Sequence, residues 1–253
     1  MRGAHEFIAE RALVVSRARR HSDAMNDTLT RVTPLLRRLF AAADAADAAA
    51  LAPYAALDEA ERAAIMRSMQ VDYRAFYGKM ANAYLPVSEA MGRLLYVLAR
   101  TKKARCIVEF GTSFGLSTIF LAAALHDNLD ADAFGAARGR GRVITTELEP
   151  SKVARARANL VEAGLGDLVD VREGDALDTL RERIDGPIDL VLLDGAKPLY
   201  VPVLRLLEPA LAPGALVVAD NFKMAPELND HLAGGYVTVP WSELDCVLAL
   251  RAG

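Results

Sequence analysis

The chain has 253 residues, with 30 Lys and Arg against 33 Asp and Glu and a formal charge of −3. That balance gives no electrostatic case for nucleic acid, where a basic face is expected, and no uncharged apolar stretch reaches the roughly 18 residues of a membrane span. A hydrophobic fraction of 53% with 25% charged residues suits one large α/β domain with a helical extension, so a small-molecule partner is expected.

Residues 1–25 are basic through Arg11, Arg17, Arg19 and Arg20, but Glu6 and Glu10 depart from a targeting peptide. They are expected to be an over-extended start or an appended leader, with Met25 as the true initiator. Residues 26–100 form a helical extension. Leu29, Val32, Leu36, Leu39 and Phe40 recur at helical spacing, and so do Leu57, Ala60, Ala64, Ile65 and Met69. The Ala/Asp stretch 41–50 reads as a surface helix or helical linker that Pro53 ends, and Pro86 fits the first turn of a helix through Leu98.

Over residues 101–253 strands and helices alternate. Strands are predicted at 105–110, 142–147, 168–172, 188–193 and 215–219, with helices at 116–126, 151–163, 176–183 and 199–211 between them. That order implies a doubly wound, mostly parallel sheet covered on both faces. Residues 134–142, rich in Gly and Arg, read as a surface loop. The chain closes with strands at 235–239 and 245–250, too closely connected to be anything but antiparallel. Cys106 and Cys246 fall inside strands, so reduced, buried thiols and a cytoplasmic setting are expected.

Several of these strands end in acids, and ligands gather beyond the carboxyl ends of strands in such sheets. Strand 188–193 runs into Asp194, with Lys197 three residues on, and strand 215–219 runs into Asp220-Asn221. Two carboxylates and an amide oxygen make a hard site suited to Mg²⁺. Strand 105–110 feeds Gly111-Thr112-Ser113-Phe114-Gly115, a turn that lets a ligand approach the next helix's free N–H groups. Ser113 stands where a dinucleotide fingerprint needs its middle glycine. Glu109, just before the loop, would repel phosphate and suits a cationic or amino-bearing ligand. Glu147 ends the second strand, where an acid takes ribose hydroxyls, and Asp175 follows Gly174 after the third, where an adenine amino group would be met.

These residues resemble the class I S-adenosylmethionine-dependent methyltransferases, specifically the catechol and caffeoyl-CoA type of O-methyltransferase. The resemblance spans residues 84–250 and rests on Glu109-x-Gly111-x-x-x-Gly115-x-Ser117-Thr118, Thr146-Glu147-x-Glu149-Pro150, Gly174-Asp175-Ala176, Asp194-Gly-Ala-Lys197-x-x-Tyr200 and Ala219-Asp220-Asn221. It implies a seven-stranded Rossmann-like sheet. Glu109, Gly111 and Ser117, with Thr112, Ser113 and Gly115 of the loop, would meet the methionine part of the cofactor. Glu147 would bind the ribose, Asp175 and Ala176 would border the adenine, and Asp194 would adjoin both cofactor and metal. Asp194, Asp220 and Asn221 would hold Mg²⁺ or another divalent cation, and Lys197 would be the base that deprotonates a catechol-like acceptor.

Ala196 replaces an acid common in related enzymes, Pro198 follows the lysine directly, and the segment 222–234 near the acceptor is short. Trp241 is open to either acceptor lining or core packing, Tyr200 reads as packing, and His126 and His231 read as surface or capping residues. The N-terminal helices would cover the site or form a homodimer contact. Alternatives are a metal-independent methyltransferase, an NAD-dependent oxidoreductase and a non-catalytic cofactor-binding protein.

Overall fold

The computed structural model of the chain describes residues 27–55, 57–131 and 141–252. The expected leader, and the Gly/Arg-rich loop as far as residue 140, lie outside the described residues. Helices come first: α1 (Thr28–Ala55), α2 (Glu59–Val71), α3 (Tyr73–Gly78) and α4 (Glu89–Lys102). Strands and helices then alternate as β1 (Cys106–Phe110), α5 (Leu116–Ala131), β2 (Arg142–Glu147), α6 (Pro150–Glu162), β3 (Val169–Glu173), α7 (Ala176–Thr179), β4 (Ile188–Leu193), α8 (Tyr200–Leu207) and β5 (Leu211–Asp220). After α9 (Pro226–Leu232) the chain ends in β6 (Tyr236–Trp241) and β7 (Cys246–Arg251).

The seven strands form one sheet in the order β3-β2-β1-β4-β5-β7-β6. Pairing is parallel through β5, and β7 inserts antiparallel between β5 and β6. The doubly wound, mostly parallel fold expected from the sequence is the one observed. Strand order reverses between β1 and β4, which opens a crevice at their carboxyl ends.

Both sheet faces are covered, so the central strands need no polar side. Ile107, Leu190 and Leu192 pack under Leu36, Leu95 and Phe120 of α1, α4 and α5, while Val108, Val191 and Leu193 pack under Tyr200, Leu204 and Leu228. Every residue of α5 from Leu116 to Leu125 is buried, because α1 and α4 cover the side that the sheet leaves open. Asp58 starts α2 with a reciprocal capping box to Glu61, which satisfies two otherwise orphan N–H groups.

Several boundaries differ from expectation, among them α5, which runs to Ala131 rather than 126, and α8, which ends at Leu207 rather than 211. Pro53 does not end α1; it sits in the last turn, forfeiting a single N–H hydrogen bond to the turn before, and the helix runs to Ala55. The helix expected over 176–183 stops at Thr179 because the Arg172 guanidinium takes the carbonyls of Thr179, Glu182 and Arg183. Strand β5 begins at Leu211 rather than 215, with an irregular register against β4 between Ile188 and Leu190.

Candidate active site

A cavity of about 340 Å³ lies at the carboxyl ends of β1, β2 and β4. Its floor is stitched by backbone bonds. Gly111 and Thr112 N–H groups donate to the Thr146 carbonyl, and Asp194 N–H donates to the Phe110 carbonyl at 2.8 Å. Gly111 has φ +105°, and a Cβ there would lie 2.4 Å from the Asp194 carbonyl oxygen. Glycine is therefore required where the loop crosses β4, by conformation and by space.

One half of the cavity holds Thr112, Ser113, Ser117, Glu147, Asp175 and Ala176. The Glu147 carboxylate accepts the Ser113 N–H at 2.8 Å and the Glu149 N–H at 2.9 Å, which fixes its orientation and leaves lone pairs free. Asp175 caps α7 through the Leu177 N–H at 2.8 Å. Its other oxygen accepts from Tyr73 Oη at 2.6 Å and Arg74 Nη2 at 2.5 Å. Burial works to raise the Asp175 pKa, but these hydrogen bonds and the guanidinium charge hold it below the usual carboxylate value.

Two of the expected cofactor residues lie outside the cavity lining. Gly115 turns toward Ala156, 3.5 Å from where its Cβ would be. Glu109 is fully buried behind the wall, and accepts hydrogen bonds from Ser117 Oγ, Thr118 Oγ1 and Thr145 Oγ1 at 2.5–2.6 Å. Burial raises its pKa above the ordinary value, with the hydroxyls opposing. Ser117 lines the cavity and stands between Glu109 and any ligand there.

The other half is built around Asp194, which lines the same cavity. Lys197 Nζ lies 3.6 Å from Asp194 Oδ1 and donates to Tyr200 Oη at 2.7 Å; the tyrosine in turn donates to the Asp220 carbonyl at 2.9 Å. Burial pushes the Asp194 carboxyl well above its ordinary pKa, with Lys197 opposing and Asp220 adding to the rise. Burial also raises Asp220, with Lys197 and a hydrogen bond between the two carboxyls opposing. Asn221 follows directly with φ 48°, in the left-handed region that Asn tolerates. Lys197, Asp220 and Asn221 sit behind the cavity lining. Among the described residues no group of three or more His, Cys, Asp or Glu side chains could hold a metal, so the expected ligand set depends on the Asn221 amide oxygen.

The N-terminal helices cover this site. Tyr73, Arg74 and Tyr77 of α3 line the cavity, and the Tyr77 phenol is pushed up to about 12 by burial, then by Asp194 and Glu147. Tyr84 stacks on Phe114 with ring centroids 3.7 Å apart, forming another wall. Lys152 of α6 is 6% exposed and lines the cavity as well. Sequence reasoning missed these residues. Only Lys152 left a signal, as a charge on the buried stripe that continues through Ala156 and Leu160. Tyr200 is both packed and hydrogen-bonded. His126 bonds Thr28, His231 bonds Glu208, and Trp241 is 39% exposed on β6, outside the cavity lining.

Residues 108–222 match a family model described as a methyltransferase domain. A catechol O-methyltransferase of Niastella koreensis is 36% identical over 148 residues, covering 56% of this chain and 62% of that protein. A catechol O-methyltransferase of Mycobacterium tuberculosis is 35% identical over 167 residues, covering 66% of each. The chain thus spans just under two thirds of the length of either relative. Among solved structures, the O-methyltransferase TomG of Streptomyces achromogenes, involved in tomaymycin synthesis and solved in complex with SAM, aligns with a TM-score of 0.57. It is 27% identical and covers 83% of this chain and 99% of that one.

Proposed function

We propose that the chain is a class I S-adenosylmethionine-dependent O-methyltransferase acting on a small, catechol-like acceptor with a divalent cation such as Mg²⁺, a reading supported by the methyltransferase-domain match over residues 108–222 and by the sheet order. One observation carries the reading. Asp194 opens onto the same cavity as Ser117, Glu147 and Asp175, and its carboxyl sits 3.6 Å from Lys197 Nζ, whose partner Tyr200 bonds the Asp220 carbonyl.

The cofactor supplies an electrophilic sulfonium methyl, so the chain needs no covalent nucleophile. Its residues must align an acceptor oxygen with that methyl, a contribution on the order of 7–11 kcal/mol when fully realised. Glu147 and the glycine loop would hold the nucleoside, and Ser117 would meet the methionine part. The donor set fits a hard cation: Asp194 and Asp220 are nearly buried carboxyls at the ends of neighbouring strands, with the Asn221 amide next in the chain. A cation held by Asp194, Asp220 and Asn221 would supply Lewis acidity toward two vicinal acceptor oxygens. Lys197 would take the hydroxyl proton at Nζ, held in place by Tyr200 Oη.

Turnover of a catechol panel with labelled S-adenosylmethionine, with and without Mg²⁺, tests the reading. Wild type should methylate only in the presence of Mg²⁺. Lys197→Ala should lose roughly 10²–10⁴-fold in kcat while still binding S-adenosylhomocysteine. An unchanged rate in the variant would remove Lys197 from the role of base. Full activity in EDTA would favour a metal-independent reading, in which the Lys197 ammonium alone offsets the two acids.

A further inference from the structure

Lys152 is the cavity group that the proposed reaction leaves without a task. It sits in the first turn of α6, two residues after Pro150, and is 6% exposed. Its Nζ lies 5.7 Å from the centroid of the Phe114 ring. Among the described residues no hydrogen-bond acceptor and no carboxylate within ion-pairing distance serves this ammonium, although it lines the cavity. Burial lowers its pKa, and the opposing charges are, in order, Glu147, Asp47 and Glu149.

A largely buried lysine whose ammonium opens only into the cavity is poorly solvated unless a ligand there completes its three donors. Glu147, which lines the same cavity, is itself incomplete. Each of its oxygens holds one backbone N–H, and the rest of its accepting capacity faces the same cavity. Acceptor and donor therefore line one cavity without forming an ion pair, and a ligand in that cavity can meet both. Vicinal hydroxyls fit that gap, because each can donate to the carboxylate and accept from the ammonium. We propose that Lys152 is a cofactor-binding residue that pairs with Glu147 to grip the ribose diol of the methyl donor from its accepting side, selecting ribonucleoside over deoxyribonucleoside ligands.

The proposal rests on the methyltransferase reading above, and calorimetric titration separates the two. Wild type and Lys152→Met, which keeps the apolar stem, are titrated with S-adenosylhomocysteine and with its 2′-deoxy and 3′-deoxy analogues. Loss of a charge-assisted hydrogen bond should weaken S-adenosylhomocysteine binding roughly 10- to 100-fold in the variant. At least one deoxy analogue should suffer a smaller loss than the parent ligand between wild type and variant. Equal affinity of the two proteins for S-adenosylhomocysteine would overturn the role of Lys152 and leave the methyltransferase reading standing. No binding by wild type would overturn both. A second measurement needs no variant: acylation of wild-type lysines with acetic anhydride, mapped by mass spectrometry. Saturating S-adenosylhomocysteine should protect Lys152, and unchanged labelling there would overturn the proposal.

Discussion

Glu109 shows how a residue's chemistry can be read correctly and its address missed. A carboxylate before the glycine loop argues for attraction to a cation, but alternation along β1 turns this side chain toward α5, where Ser117 and Thr118 meet it. Its burial has a measurable consequence. Because the folded-state pKa is raised above the ordinary value, the stability it contributes is present at low pH and is lost as pH rises through the folded pKa. The variant Glu109→Gln lacks that dependence. Urea unfolding of both proteins from pH 4.5 upward should show wild type losing stability relative to the variant as pH rises. A constant difference across the range would contradict this. Lys152 and Lys197 make the complementary point: both are nearly buried lysines, one with a tyrosine and an acid beside it, the other open to the cavity.

At the level of elements, the alternating pattern after residue 101 was legible because a buried parallel strand has a short apolar run and a covering helix its own period. The N-terminal helices were legible as helices, but their placement was not. Periodicity says which face is apolar and nothing about which neighbour it meets. The structure puts α3 over the cavity, tied by Tyr73 and Arg74 to Asp175, a long-range contact invisible to local pattern. The α4–α5 contact is similarly specific. A Cβ on Gly92 of α4 would lie 2.4 Å from the Phe120 ring, which is 1% exposed and has nowhere to go. Gly92→Ala gains about 1 kcal/mol of helix propensity but overpacks a core contact by roughly 1–3 kcal/mol, so a net loss is expected. The melting temperature should fall by a few degrees; a rise would mean the two helices can separate freely.

For the whole molecule, the sheet divides two cores and the cavity opens where they meet at the strand ends. A ligand bound there ties α3, the glycine loop and β4 together, so its affinity should appear as global stability. At a hundred times its dissociation constant, S-adenosylhomocysteine should add about 2.7 kcal/mol, raising the melting temperature by roughly 5–10 °C. NADH at the same concentration should leave it unchanged, since Ser113 replaces the middle glycine of the dinucleotide pattern. The reverse result would move the chain to another class of reaction.

The strand and helix order, the parallel sheet and the acids at its strand ends are all legible in the residue pattern. Those follow from periodicity and from turn residues, which are local properties. Packing across the chain settles which acids share a cavity, that Glu109 faces inward, that α3 covers the site, and that Lys152 and Glu147 line one cavity. Each of those depends on which side of an element packs against a neighbour far along the chain, and burial, once it removes water, sets what every charged group must find as a partner.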